Sequence, residues 1–239
     1  MNKNLFAAAC ALLLTTGAVV FLWGGAQHPS TGSSLGPVGS PEYFRAFARH
    51  VADHVGWREI HSGILAGPIL WALGTVGLAD RFSLERQSNW SMLALLSLSM
   101  GAATWAVVFV LDGFVAPLQA EAILAAGSSI DAVHAFRSNQ EIVIRLGLVS
   151  WLLIGVGIAS ISAAARTAGE QARLIRFVLV PGGFLVGLWP LVAWIMGPFR
   201  PGPFTSGTWA ATAILTSAWF VVASVVLVRK RSTQAGGAA

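Results

Sequence analysis

The chain has little charge and almost no cysteine. Asp, Glu, Lys and Arg make up 10% of its 239 residues, against about 25% in soluble proteins. Hydrophobic residues make up 55%, and the mean hydropathy is +0.70. A chain of this size has too few polar groups to cover a core that apolar, so lipid is part of its solvent. The single cysteine, Cys10, lies inside an apolar run. That excludes an intrachain disulfide and a cysteine-built metal centre. No Walker loop, GxSxG elbow or glycine-rich nucleotide turn is present, so nothing points to an NTPase, a hydrolase or a dehydrogenase. The formal charge of +5 and the pI near 10.7 do not indicate nucleic acid. The basic residues stand at the ends of apolar runs and form no patch.

What is present is length in apolar runs. Six segments of about 20 residues have spanning length: 5–25, 59–79, 91–113, 141–163, 175–197 and 208–228. The expectation is an all-α integral membrane protein, one six-transmembrane-helix bundle over residues 1–239. The first run reaches Trp23 and no A-x-A pattern follows it, so it reads as a retained span rather than a cleaved signal. With the N-terminus inside, the inner side receives nine basic residues: Lys3, Arg81, Arg86, Arg166, Arg173, Arg176, Arg229, Lys230 and Arg231. The outer side receives six. The positive-inside rule therefore puts both termini in the cytoplasm. Trp23, Trp57, Trp90, Trp194 and Trp209 fall near span ends, as interfacial anchors do. Trp71, Trp105, Trp151, Trp189 and Trp219 lie deeper, where helix packing is the plain reading.

The two long outer connections, 26–58 and 114–140, are expected to carry amphipathic helical segments. In the first, an irregular Gly/Ser/Pro stretch precedes Ser40-Pro41-Glu42. Ser can cap a helix, Pro fits its first position and Glu suits its positive end. This helix is expected to run through RHVADHVGWREIH (49–61); whether it lies on the membrane or continues into the second span is left open by the sequence. In the second connection, a break at GSS is followed by a helix capped by Ser129. His134, Arg137, Glu141 and Arg145 form one polar stripe along it. All five histidines fall outside, so a site is expected there.

Three groups of residues are candidates. His50 and His54 are one helical turn apart and can both face one metal ion. A zinc site needs three or four ligands. His61 is about 10 Å further along a straight helix; a bend at Gly56 could bring it closer, and His28, Asp53 or His134 could complete the set. The bland alternative is a helix lying at headgroup level. A bis-histidine haem is disfavoured, because no histidine lies at mid-depth. The second group is a polar pocket of His61, Asp112, Glu141 and Arg145. Ionisable residues near membrane depth are functional candidates by default. Asp112 and Arg145 sit at similar height and could pair, and a structural ion pair that fixes how spans three and four pack is the plainer reading. Asp112-Gly113 followed by Pro117 also marks a helix bend. The third group is Pro68 in span two and Pro181 and Pro190 in span five. Interrupted helices at corresponding positions point to a transporter, but no charged residue lies at mid-membrane, and kinks also occur without transport. Gly155, Ala159 and Ala163, and Ser97 with Gly101, are spaced for close helix approach.

His28-Pro29 after the first span, Trp57 with His61 opening the second, and Asp112-Gly113 closing the third form a pattern. It resembles the uncharacterised small multi-pass membrane proteins common in bacteria, over about the first two-thirds of the chain. The resemblance implies a bacterial inner-membrane protein and implies no activity. Taken together, the expectation is a non-enzymatic accessory or ligand-binding membrane protein with its polar site on the outer face. A small transporter and a metal- or haem-binding redox protein are the alternatives. No cofactor is required by the sequence, although a metal remains open. The expected partners are the lipid bilayer and a membrane protein or second copy, not nucleic acid.

Overall fold

The computed structural model describes residues 2–28, 35, 37, 39–82, 89–125, 129–170, 172–196 and 203–229. Among these there is helix and no strand. The helices are α1 (Lys3–Gln27), α2 (Pro41–Asp53), α3 (Trp57–Phe82), α4 (Asn89–Phe109), α5 (Ala116–Ala125), α6 (Ile130–Thr167), α7 (Val180–Met196) and α8 (Pro203–Val228). A π turn, Val110–Val115, joins α4 to α5, and a second, Ile175–Leu179, leads into α7. Six helical stretches are long and apolar enough to cross a membrane, with α4 to α5 counting as one from Asn89 to Ala125.

Lipid tails are as apolar as leucine, so burial against lipid does not drive these helices together. Close packing and interhelical hydrogen bonds must do so. Glycine makes the approach possible. A Cβ on Gly74 would stand 2.7 Å from the Leu14 side chain, and one on Gly77 would stand 2.6 Å from Cys10, so α1 lies directly on α3. The small residues of span four have the same use. Gly155 of α6 and Gly187 of α7 face one another backbone to backbone, and Ser150 donates to the Gly101 carbonyl at 2.6 Å.

Aromatic rings fill the middle. Phe21 of α1 touches Trp71, Trp105 and Trp151, with ring centroids 5.0, 6.1 and 5.6 Å away. Trp209 extends the group from Trp105 (5.4 Å), and Phe220 stacks on Trp71 at 4.8 Å. Trp105 also repairs the break made by Pro68. Proline has no N–H for the carbonyl four residues earlier, which is that of Ile64. The Trp105 indole donates to it at 3.2 Å.

A second, separate core caps one end. The apolar face of α2 (Tyr43, Phe44, Phe47, Val51) packs on Ala116, Ala120 and Ile123 of α5 and on Val133 and Phe136 of α6. The α2 helix therefore buries its apolar face against protein, not against lipid headgroups. Its start matches the sequence reading: Ser40 Oγ accepts from the Tyr43 N–H at 3.1 Å, with Pro41 in the first turn. Its end does not. The helix stops at Asp53, His54 caps it in an extended conformation, and Gly56 turns the chain at φ 86° before α3 begins. Only glycine takes that φ without strain. The expected continuous helix through 49–61 is thus two helices. Ser129 caps α6 as expected, accepting from the Ala132 N–H. Gly127 and Ser128 of the expected GSS break, Pro29, Arg86, Lys230, Arg231 and residues 197–202, Arg200 among them, lie outside the described residues.

Candidate functional site

The site is built around an irregularity in the helix after α4. Pro117 cannot donate to the Gly113 carbonyl, as an unbroken α-helix would require. The chain widens to a π turn, in which the Ala116 N–H bonds the Leu111 carbonyl. The Asp112 carbonyl is then stranded. Its α-helical donor, Ala116, is engaged with Leu111, and its π-helical donor would be Pro117. The Trp57 indole takes that place, donating to the Asp112 carbonyl at 2.7 Å. Asn139 of α6 adds a bond to the Leu111 carbonyl at 3.0 Å. Such π turns recur at functional sites.

This anchoring holds the Asp112 side chain against α3. His61 Nδ1 lies 2.7 Å from the Trp57 carbonyl, and Nε2 lies 3.1 Å from Asp112 Oδ2. A carbonyl only accepts, so Nδ1 carries the hydrogen. Nε2 is thereby aimed at the carboxylate, with one proton between them. Gln140 Nε2 donates to the other oxygen, Oδ1, at 3.2 Å. The His61 side chain is 6% exposed and that of Asp112 13%. Gly113 permits the contact, since a Cβ there would lie 3.0 Å from the His61 Cβ.

His28, which caps the end of α1, closes the third side. Its ring centroid is 5.1 Å from that of His61 and 5.4 Å from that of Trp57, and Trp57 lies 4.7 Å from His61. The ligand-capable atoms of His28, His61 and Asp112 all lie within 4.8 Å of one another. Three separate elements thus bring two imidazoles and a carboxylate together.

The other expected site residues sit elsewhere. Arg145 does not reach Asp112. It pairs with Glu141 at 3.3 Å, and Glu141 also holds Arg137 at 2.9 Å, both on the exposed side of α6. His50 and His54 stack loosely, with centroids 6.0 Å apart, and His54 touches Trp57 but belongs to no three-ligand cluster among the described residues. Trp57 is buried, not an interfacial anchor, whereas Trp23 and Trp90 are exposed. Gln140 and Asn139 were not anticipated as site residues. A signal for them existed. They fall on the face of α6 that carries Val133, Phe136, Val143 and Gly147, and an amide on an apolar face needs a partner.

The chain matches no family model, no curated protein and no solved structure.

Proposed function

We propose that the protein is a non-enzymatic multi-pass component of a bacterial cytoplasmic membrane. Both termini lie inside, and the His28–His61–Asp112 site opens outward and holds a small ligand. The observation that carries this reading is the buried His61–Asp112 contact. Burying such a pair costs desolvation that an apolar pair would avoid, and helix packing alone gives no reason to keep it. The sequence count supports the orientation, with nine basic residues assigned to the inner side against six to the outer. Packing argues for a binder rather than a carrier. Phe21, Trp71, Trp105 and Trp151 fill the bundle, and Trp105 covers the one carbonyl that Pro68 exposes.

Thiol labelling tests the reading. In a Cys10→Ala background, single cysteines replace Val55, which is 94% exposed beside the site, His28 in the site, and Arg173 near the opposite end. A membrane-impermeant maleimide should label the cysteines at 55 and 28 in intact cells and the one at 173 only after lysis. Labelling at 173 before lysis would reverse the topology. Labelling at 55 without labelling at 28 would show a closed pocket and end the ligand-site reading.

A further inference from the structure

Resting on that reading, we infer that the ligand is a divalent first-row transition-metal ion, held by His28, His61 and Asp112. The donor set selects the class. Two imidazole nitrogens and one carboxylate oxygen suit zinc, iron or cobalt. Calcium takes six to eight oxygens and magnesium an octahedron of them, which one carboxylate does not provide. Three protein ligands also leave a coordination position open, as in sites that exchange a ligand rather than purely structural ones.

The geometry is close to what an ion needs. Metal–ligand bonds of about 2.0–2.2 Å place neighbouring ligand atoms roughly 3.4 Å apart in a tetrahedron. His61 Nε2 and Asp112 Oδ2 already stand at 3.1 Å. The ligand atoms of all three residues lie within 4.8 Å, so His28 has at most about 1.5 Å to close on the same tetrahedral geometry. It is also the ligand best placed to move, because it caps α1 where the chain leaves the helix, whereas His61 lies inside α3 and Asp112 inside the π turn.

The surroundings of the ligands point the same way. A histidine that binds metal through one nitrogen characteristically donates its other N–H to a carbonyl or carboxylate, which fixes the ring and its tautomer. His61 does this through Nδ1 to the Trp57 carbonyl. The carboxylate is oriented in turn: Gln140 holds Oδ1 and leaves Oδ2 on the histidine side. The Trp57 indole ties the backbone of the residue that bears the carboxylate. One tryptophan thus fixes both ligands, through its carbonyl and through its ring. A pair retained only as a fastening would not require His28 at its open side.

The test is metal content of the full chain, purified in mild detergent through a histidine-free tag from cells grown with added zinc. Elemental analysis should find near one zinc per chain. Cobalt(II) added to the metal-free protein should give the strong visible absorption of a tetrahedral or five-coordinate ion. His28→Ala keeps the backbone cap of α1 and should lower zinc affinity at least tenfold, with gel filtration showing that it folds. Asp112→Asn should do the same, with gel filtration showing that it folds. Gln140→Leu touches no ion and, as a positioning residue, should weaken zinc by about 10–100-fold while leaving the cobalt band present at saturation. His50→Ala/His54→Ala should keep its zinc. Wild-type protein without metal after supplementation overturns the inference. So does zinc kept by His28→Ala and lost by His50→Ala/His54→Ala. Labelling of a cysteine at 28 from outside, together with metal-free wild type, would sink the metal and leave a site for another ligand. Metal-free wild type with no labelling there would sink both.

Discussion

The two ends of the bundle each bury an ion pair, and the pairs are made differently. At the end opposite the site, Arg81 of α3 grips Glu170 with two parallel bonds, Nε to Oε1 at 3.0 Å and an Nη to Oε2 at 2.8 Å. Its other Nη donates to the carbonyl of Arg229 just past α8, at 2.9 Å. One guanidinium thereby fastens α3, the segment after α6 and the end of α8, with fork geometry that arginine alone provides. At the site, His61 and Asp112 share a single contact of 3.1 Å, and His28 stands beside it. The first pair closes on itself. The second is oriented by Trp57 and Gln140 on one side and has His28 on the other. A buried pair is not by itself a site, and what separates the two is where the remaining donors and acceptors point.

Breaking the closed pair should produce the largest change in stability. Arg81→Ala leaves the partly buried Glu170 uncompensated, which should cost up to about 3 kcal/mol, the lower end of the range for fully buried pairs. Arg81→Met/Glu170→Leu should recover most of that, because an apolar pair of similar volume avoids the desolvation cost. Thermal unfolding in detergent measures both. The comparison also requires that zinc affinity at the other end be unchanged in the double variant. A change there would mean that the ends are coupled and that the Arg81 clasp is more than a fastening.

Gly113→Ala addresses the open pair. The new Cβ meets the His61 Cβ at 3.0 Å and the Phe109 ring at 3.1 Å. Neither is the far end of a flexible chain, so overpacking should cost about 1–3 kcal/mol. The displaced His61 should lose its alignment with Asp112 as well. Stability and metal affinity therefore fall together in this variant, whereas Arg81→Ala lowers stability alone. Gly25→Ala, where nothing lies within 4 Å, is the matched control and should leave both intact.

The sequence showed the scaffold plainly because composition and spacing determine it. Apolar runs of spanning length must be helices in lipid, where every backbone group has to be paired internally. The caps at Ser40 and Ser129 were legible because capping is local. Asp112, His61 and a bend near Pro117 were also marked, by depth and by residue type. The choice of partners was not legible. It depends on rotation about the helix axis, at about 100° per residue, and adjacent residues can face opposite ways. Glu141 lies on the stripe with Arg137 and Arg145, while Gln140 next to it turns inward to Asp112. His28 is only one of several residues that the sequence allows to complete a ligand set, since its place follows from where α1 ends relative to α3. The two-helix break at Gly56 was legible only as a possible bend in one helix. Its positive φ is a tertiary choice that lets α2 fold back onto α5 and α6, and a helical pattern on both sides masks it.

The smallest effect should come from the pair that sequence spacing made most conspicuous. Glu141 accepts from Arg137 and Arg145, whose side chains are 45% and 58% exposed. Exposed pairs of this i,i+4 kind contribute about 0.3–0.5 kcal/mol each. Glu141→Gln should therefore lower stability by less than about 1 kcal/mol and leave zinc affinity where it was. Added salt should lower the wild-type stability slightly and that of the variant less, because screening acts on exposed charges. The neighbouring substitution Gln140→Leu carries no change of charge and should be insensitive to salt, yet it should weaken metal binding by about 10–100-fold. Two residues side by side on one helix would then separate cleanly, the charged one carrying almost nothing and the neutral one positioning the carboxylate. If Glu141→Gln weakened zinc as much as Gln140→Leu does, the polar stripe and the site would be one pocket, and the open end would have to be redrawn to include α6's outer face.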